Sequence, residues 1–221
     1  MSSLVKIAAR ASKLSQAQVW EVLRELKGFH PQINFDPIWV ETTGDKDQQT
    51  SLRTQDKTDF FTREIDALLL SGQCRIAIHS AKDLPDPLPK GLVLVALTKG
   101  VDPSDALVLR DGDTLKNLPP QARIGTSSLR REEMIKRLRT DLQCIDIRGA
   151  IEKRLSLLDS RAVDGVIVAE AALIRLGLTR RNRLRLPGIT APLQGRLAIV
   201  ARKGDSEMQE FFAPLHSSHL S

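Results

Sequence analysis

Short apolar segments of strand type alternate with amphipathic helical segments along almost the whole chain. This rhythm constrains the fold more than any other feature. Leu4–Ala9 reads as a strand, and Ser15–Lys27 as a helix with Val19, Val22, Leu23 and Leu26 on one face. Ile33–Val40 alternates as a strand whose Pro37 places it at an edge or bulge. A helix over Phe60–Leu70 precedes the apolar strand Arg75–His79, and Leu92–Leu97 and Ala106–Leu109 are further strands. Ile124, Gln143–Ile147, Val163–Ala169 and Leu197–Ala201 continue the strand series. Ser128–Arg139, Ile151–Asp159, Ala171–Leu176 and Glu207–Leu215 supply the helices between and after them. Repeated βα units of this kind predict α/β layering with largely parallel sheets.

Thr98–Asp102 and Pro187–Gln194 are turn-rich and mark two crossovers of the chain. The expected organisation is one lobe from residues 1–98 plus 196–221 and a second from 99–195, with a cleft between them. Ligands of such folds sit beyond the carboxyl ends of strands, where helix N-termini favour anions. Charge follows the same division. Residues 99–195 hold 18 basic against 12 acidic side chains, while 1–98 balance at 12 and 12 and 196–221 at 3 and 3, so the whole formal +6 belongs to the middle segment. Most of that excess is arginine, whose rigid fork of donors suits carboxylates and phosphates. Nucleic acid is a poor match, because the chain has no Tyr, only 4% aromatics and no stacking platform. No apolar run approaches the roughly 18 residues of a membrane span. Met1–Arg10 lacks the apolar stretch and cleavage site of a signal peptide, and two cysteines make no disulfide scaffold. A cytoplasmic location, no membrane partner and no nucleic-acid partner are therefore expected.

Two stretches concentrate chemistry. In Ile76-Ala-Ile-His79-Ser80-Ala-Lys82-Asp83-Leu-Pro85 a buried strand ends abruptly in polar groups, and Pro85 stops any helix. Asp83 is placed either to stand beside a developing cation or to be an ordinary solvated turn residue; spacing alone leaves both open. In Ile124-Gly125-Thr126-Ser127-Ser128-Leu129-Arg130-Arg131, hydroxyl residues precede a helix, cap it and offer an anion site. Arg130 and Arg131 fall in the first helical turn, where the dipole disfavours positive charge. Arg148-Gly149 after another strand, with Lys153 and Arg154 on the next helix, and Arg10-Ala-Ser12 after the first strand repeat the arrangement. Arg175 lies near a helix C-terminus, where the dipole alone accounts for it. Metal chemistry is unsupported: Cys74, Cys144, His30, His79, His216 and His219 show no ligand spacing.

These motifs together resemble the porphobilinogen deaminase (hydroxymethylbilane synthase) family, from about Ile7 to Leu215. The residues that carry the likeness are Ala9-Arg10-Ala-Ser12 with Gln18, Thr43-Gly44-Asp45, Phe61-Thr-Arg63-Glu64, and His79-Ser-Ala-Lys-Asp83-Leu-Pro85. Gly125-Thr-Ser-Ser-Leu-Arg-Arg131, Arg148-Gly149 and Arg175-Leu-Gly177-Leu178 complete them. The resemblance implies two lobes of periplasmic-binding-protein type and a transferase of tetrapyrrole biosynthesis. Such an enzyme joins four porphobilinogen units into hydroxymethylbilane with loss of ammonia, on a dipyrromethane primer. It implies Asp83 as the catalytic carboxylate, and Arg10, Arg130, Arg131, Arg148, Arg154 and Arg175 as receivers of substrate and cofactor carboxylates. Ser12, Lys82, Thr126 and Ser128 fall in the matching binding segments, and Lys57 in the active-site loop. Porphobilinogen and linear pyrrole intermediates are the implied partners, and a monomer is expected. The family's third domain, whose cysteine carries the primer, has no counterpart in the 221 residues, and neither Cys74 nor Cys144 lies in a matching motif. A catalytically silent two-lobe binder of tetrapyrrole precursors or small polycarboxylates is the alternative.

Overall fold

The computed structural model describes residues 4–47, 50 and 59–218. The chain begins with β1 (Leu4–Arg10), α1 (Lys13–Lys27), β2 (Asn34–Val40) and the single turn α2 (Thr43–Lys46). It continues through α3 (Arg63–Leu70), β3 (Ile76–Ser80) and β4 (Leu92–Leu97). The middle segment carries β5 (Asp105–Val108), β6 (Arg123–Gly125), α4 (Leu129–Leu138), β7 (Gln143–Ile145) and α5 (Ile151–Asp159). Then follow β8 (Gly165–Ala169), α6 (Glu170–Arg175) and β9 (Arg183–Leu186), and the chain ends with β10 (Leu197–Arg202) and α7 (Ser206–Phe212).

Two compact units result. The described residues of Met1–Lys46, Lys57–Val101 and Arg196–Ser221 form one, and those of Asp47–Asp56 and Asp102–Gly195 the other. Each is built on a five-stranded sheet, ordered β2-β1-β3-β10-β4 in the first and β7-β6-β8-β5-β9 in the second. The sheets are mixed rather than largely parallel. β1 runs parallel to β2 and β3, but β10 pairs antiparallel with both β3 and β4. In the second unit β6 is parallel to β7 and β8, while β5 is antiparallel to β8 and β9. β5 and β10 are the strands that follow the two turn-rich segments. They enter their sheets without a helical βα crossover, the connection that would enforce parallel pairing.

Both faces of each sheet are covered, so alternate residues of one strand enter different cores. Val5, Ile7 and Ala9 of β1 and Ile76 and Ile78 of β3 pack with Val19, Val22, Leu23 and Leu26 of α1 and Phe212 of α7. The opposite face offers the small Ala8 and Ala77, against which Ile65 and Leu69 of α3 pack closely. In the second unit Val166 and Val168 face Leu155 and Leu158 of α5, whereas Ile167 faces Ile135 of α4. Helix α1 begins where Ser12 Oγ accepts the Ser15 N–H at 3.2 Å, and Arg24 and Lys27 complement the dipole of its last turn.

Two expected helices are interrupted. Phe60–Leu70 divides into a 3-10 turn over Asp59–Phe61 and then α3, with non-helical backbone at Thr62 between them. Glu207–Leu215 divides into α7 and a 3-10 turn over Ala213–Leu215, where Pro214 has no N–H to continue the ladder. β9, with exposed Leu184 and Arg185, has no counterpart in the expected series.

Candidate functional site

Parallel pairing fixes where the polar motifs emerge. Because β1, β2 and β3 are parallel neighbours, Arg10–Ser12, Thr42–Asp45 and Ser80–Asp83 all follow strand carboxyl ends on one side of the first sheet. The Arg10 Nε donates to Asp45 Oδ2 at 3.2 Å, and its Nη2 is bonded to Oδ1. The guanidinium also lies over the Phe61 ring, with Cζ 4.4 Å from the centroid, a cation–π contact. Asp45 accepts the Thr42 N–H at 3.1 Å and hydroxyl at 2.8 Å. Burial pushes the Asp45 carboxyl up, but Arg10 and Thr42 outweigh it and hold the group below its ordinary value.

β3 delivers His79 and Ser80, and a 3-10 turn then carries Ala81, Lys82 and Asp83. The turn is anchored by Ala81 N–H donating to Arg196 O at 3.0 Å, and Ser80 Oγ accepts from Gln18 Nε2 at 2.8 Å. Lys82 and Asp83 are half-buried. No hydrogen bond or ion pair to another described residue occupies the Asp83 carboxylate. His79 is only 5% exposed, and its Nε2 has no partner in the described residues. Burial, and then the charge of Arg10, push its pKa down to about 4. The imidazole is therefore neutral at physiological pH.

The second unit repeats the geometry with cations. β7, β6 and β8 are adjacent and parallel, so Arg148, the Thr126–Arg131 segment and Glu170 follow strand ends on one side of that sheet. Thr126 is buried and its Oγ1 accepts the Ser128 N–H at 3.3 Å. Ser128 occupies the N-cap position of α4, yet its side chain makes no capping bond. The expected hydroxyl cap is therefore absent there. Arg131 is buried, and its Nε and Nη2 donate to Asp105 Oδ1 at 3.0 and 2.7 Å. Arg130 Nη2 lies 2.7 Å from Asp105 Oδ2, while its Nη1 donates to Ile189 O at 2.8 Å.

Arg148 donates from Nη1 to Thr50 O at 2.8 Å and from Nη2 to Asp47 O at 3.0 Å. Arg154 Nε donates to Gly149 O, and Arg175 Nη2 to Gly195 O, each at 2.8 Å. Lys57 lies outside the described residues. Of the two cysteines, Cys74 is buried and its thiol is pushed up to about 11 by burial, which suppresses the thiolate; Cys144 is half-buried in β7.

The structure thus gathers Arg10, Ser12, Lys82 and Asp83 at one sheet end of the first unit, and Thr126, Ser128, Arg130, Arg131 and Arg148 at one end of the second. Asp105 and Gln194 join the second cluster although no motif in the sequence marks them. The legible signal for Asp105 was a charged residue heading the apolar run Ala106–Leu109, and it is the partner that burial of Arg131 requires.

Mixed five-stranded sheets in two units, each with polar and cationic residues beyond the carboxyl ends of parallel strands, define a fold of periplasmic-binding-protein type. Solved structures agree at the level of fold. A lipoprotein of Bacillus subtilis assigned as methionine-binding aligns over 97% of this chain and 91% of its own, with TM-score 0.60 and 14% identity. The OxyR2 regulatory domain of Vibrio vulnificus aligns over 97% and 93%, with TM-score 0.55 and 14% identity.

The sequence narrows the class. Residues 5–210 match the family model described as "Porphobilinogen deaminase, dipyromethane cofactor binding domain". A protein named "Probable porphobilinogen deaminase" from Chlamydia pneumoniae is 40% identical over 96% of this chain and 90% of its own length. The porphobilinogen deaminase of Syntrophotalea carbinolica is 37% identical over 98% of this chain and 70% of its own. The chain belongs to the porphobilinogen deaminase family.

Proposed function

We propose that the chain is a hydroxymethylbilane synthase-type transferase of tetrapyrrole biosynthesis, joining four porphobilinogen units head to tail and releasing ammonia at each step. The observation that carries this reading is Asp83: a half-buried carboxylate at the end of β3, held by a short anchored turn and engaged by no other described residue. Such a carboxylate can accept the pyrrole N–H of the substrate. As the C–N bond of the aminomethyl group breaks and its electron pair departs with nitrogen, the same carboxylate stabilises the positive charge left on the pyrrole. No reorganisation is then needed at the moment of reaction, because the turn already holds the group in place.

Porphobilinogen carries acetate and propionate side chains, which need cationic partners of fixed geometry. Arg10, Arg130, Arg131, Arg148, Arg154 and Arg175 are proposed for that role, with Ser12, Lys82, Thr126 and Ser128 beside them. Most of these guanidiniums are already directed by a carboxylate or a backbone carbonyl, so less rotamer freedom is lost on binding. The same donor chemistry suits a dipyrromethane, whose acidic side chains these arginines would hold and whose pyrrole N–H groups Asp83 would accept. When bound, that group supplies the primer to which the pyrroles are joined. We further propose a cytoplasmic monomer acting on porphobilinogen and linear pyrrole intermediates, without nucleic-acid or membrane partners.

The test is incubation with porphobilinogen, following hydroxymethylbilane or its uroporphyrin product, together with the intact mass of the purified protein. Asp83→Asn is expected to reduce turnover by at least about 100-fold while leaving circular dichroism unchanged. Wild-type turnover no greater than that of the folded variant overturns the assignment.

A further inference from the structure

Asp105 opens β5 and is 0% exposed. Its Oδ1 accepts from Arg131 Nε and Nη2 and from Gln194 Nε2, the last at 2.9 Å, and its Oδ2 pairs with Arg130 Nη2 at 2.7 Å. Burial of a lone carboxylate costs several kcal/mol, so it needs the charges around it. Burial pushes its pKa up, and the two arginines and Gln194 outweigh that effect. The reciprocal need is equally plain. Two guanidiniums in the first turn of α4 repel each other and face an unfavourable dipole, and one carboxylate between them answers both.

The two arginines differ in what they can reach. The Arg131 side chain is 10% exposed and also donates to Ile167 O at 3.3 Å, within the interior of the unit. Arg130 is 29% exposed and is pinned at two points, by Asp105 on Nη2 and by Ile189 O on Nη1. Gln194 closes the frame by donating to Pro103 O at 2.7 Å as well as to Asp105. Its neighbour Gly195 has φ +85°, and a Cβ there would sit 2.9 Å from Asp102 O, so the backbone that places Gln194 has no room for a side chain at 195.

We infer that Asp105 is a positioning residue: held by Arg131 and Gln194, it fixes the direction of the Arg130 guanidinium toward a substrate carboxylate. Arg131, the more buried of the pair, supplies most of the bonds that hold Asp105 in place, and Arg130, the more exposed, is the one whose direction toward the ligand Asp105 sets. This inference rests on the proposed deaminase activity.

The experiment is a double-mutant cycle of Asp105→Glu and Arg130→Ala, read by porphobilinogen KM and kcat and by calorimetric porphobilinogen binding. Asp105→Glu retains the buried negative charge that Arg131 requires and displaces the carboxylate by one methylene. It is expected to raise KM and the dissociation constant about tenfold with kcat nearly unchanged, and to add less than about twofold in the Arg130→Ala background. Gln194→Ala, which loosens the frame without stranding a charge, is expected to behave alike and serves if Asp105→Glu does not fold. Wild-type KM and affinity in these variants, or effects that multiply fully with Arg130→Ala, overturn the inference. Absence of turnover and binding in the wild type instead overturns the parent assignment.

Discussion

At the scale of single residues, the chemistry depends on which polar groups are left engaged and which are not. His79 is a buried imidazole with its pKa lowered from 6.5 to about 4, by burial first and then by Arg10. The folded state therefore binds no proton at His79 in the window where the unfolded chain does. Stability from this site is intact above about pH 6.5 and is lost progressively as pH falls toward 4, by up to about 3 kcal/mol. Asp45 and Asp105, whose pKa values lie below 3.8, lose their contributions only at lower pH, so the windows separate. Urea unfolding of wild type and His79→Gln between pH 7 and pH 4 checks this: the stability difference is expected to shrink or reverse by roughly 2–3 kcal/mol, and parallel profiles refute it. The identity of the candidate residues was legible, because polar groups that abruptly end apolar strands stand out in a sequence. Their pairing was not. Arg130 and Arg131 are 25 and more positions from Asp105, and only the packing of α4 against β5 brings them together.

At the scale of elements, capping separates two serines that look alike in the sequence. Ser12 and Ser128 both precede helices after a strand, but only Ser12 accepts a helix N–H. Ser12→Ala is expected to cost about 1 kcal/mol of stability and Ser128→Ala less than about 0.5 kcal/mol, measured by urea denaturation. Equal losses refute the distinction. Elements with a full apolar period were readable to within a residue or two; α5 begins and ends where its spacing predicted, at Ile151 and Asp159. The failures have local causes. Pro214 ends a helix whose apolar pattern runs on, and β9 hides because its exposed Leu184 and Arg185 carry no burial pattern.

At the scale of the whole molecule, the chain's last segment completes a sheet begun nearly two hundred residues earlier. β10 lies between β3 and β4, and its Leu197, Ile199 and Ala201 enter the same core as Met208 and Phe212 of α7. A chain ending at Gly195 is therefore expected to lose the fold of the first unit, because β3 and β4 no longer have a strand between them. Trp20 and Trp39, the two tryptophans of the chain, pack edge to face in that unit and provide the probe. Loss of their near-ultraviolet dichroism, with strong binding of a hydrophobic dye, is the expected result; a native spectrum from the truncated chain refutes it.

The amino-acid order by itself determined the α/β class, most element positions, the arginine-rich middle segment and the carboxylate at position 83. These are written in local periodicity and in polar residues that interrupt it, both of which act over a few residues. Tertiary structure alone decided that the sheets are mixed, that Ser128 caps nothing, and that Asp105 stands between Arg130 and Arg131. The mixed sheets and the Asp105 pairing depend on contacts between distant segments, and for Asp105 burial makes an unpaired charge so costly that its partner must be found elsewhere in the chain.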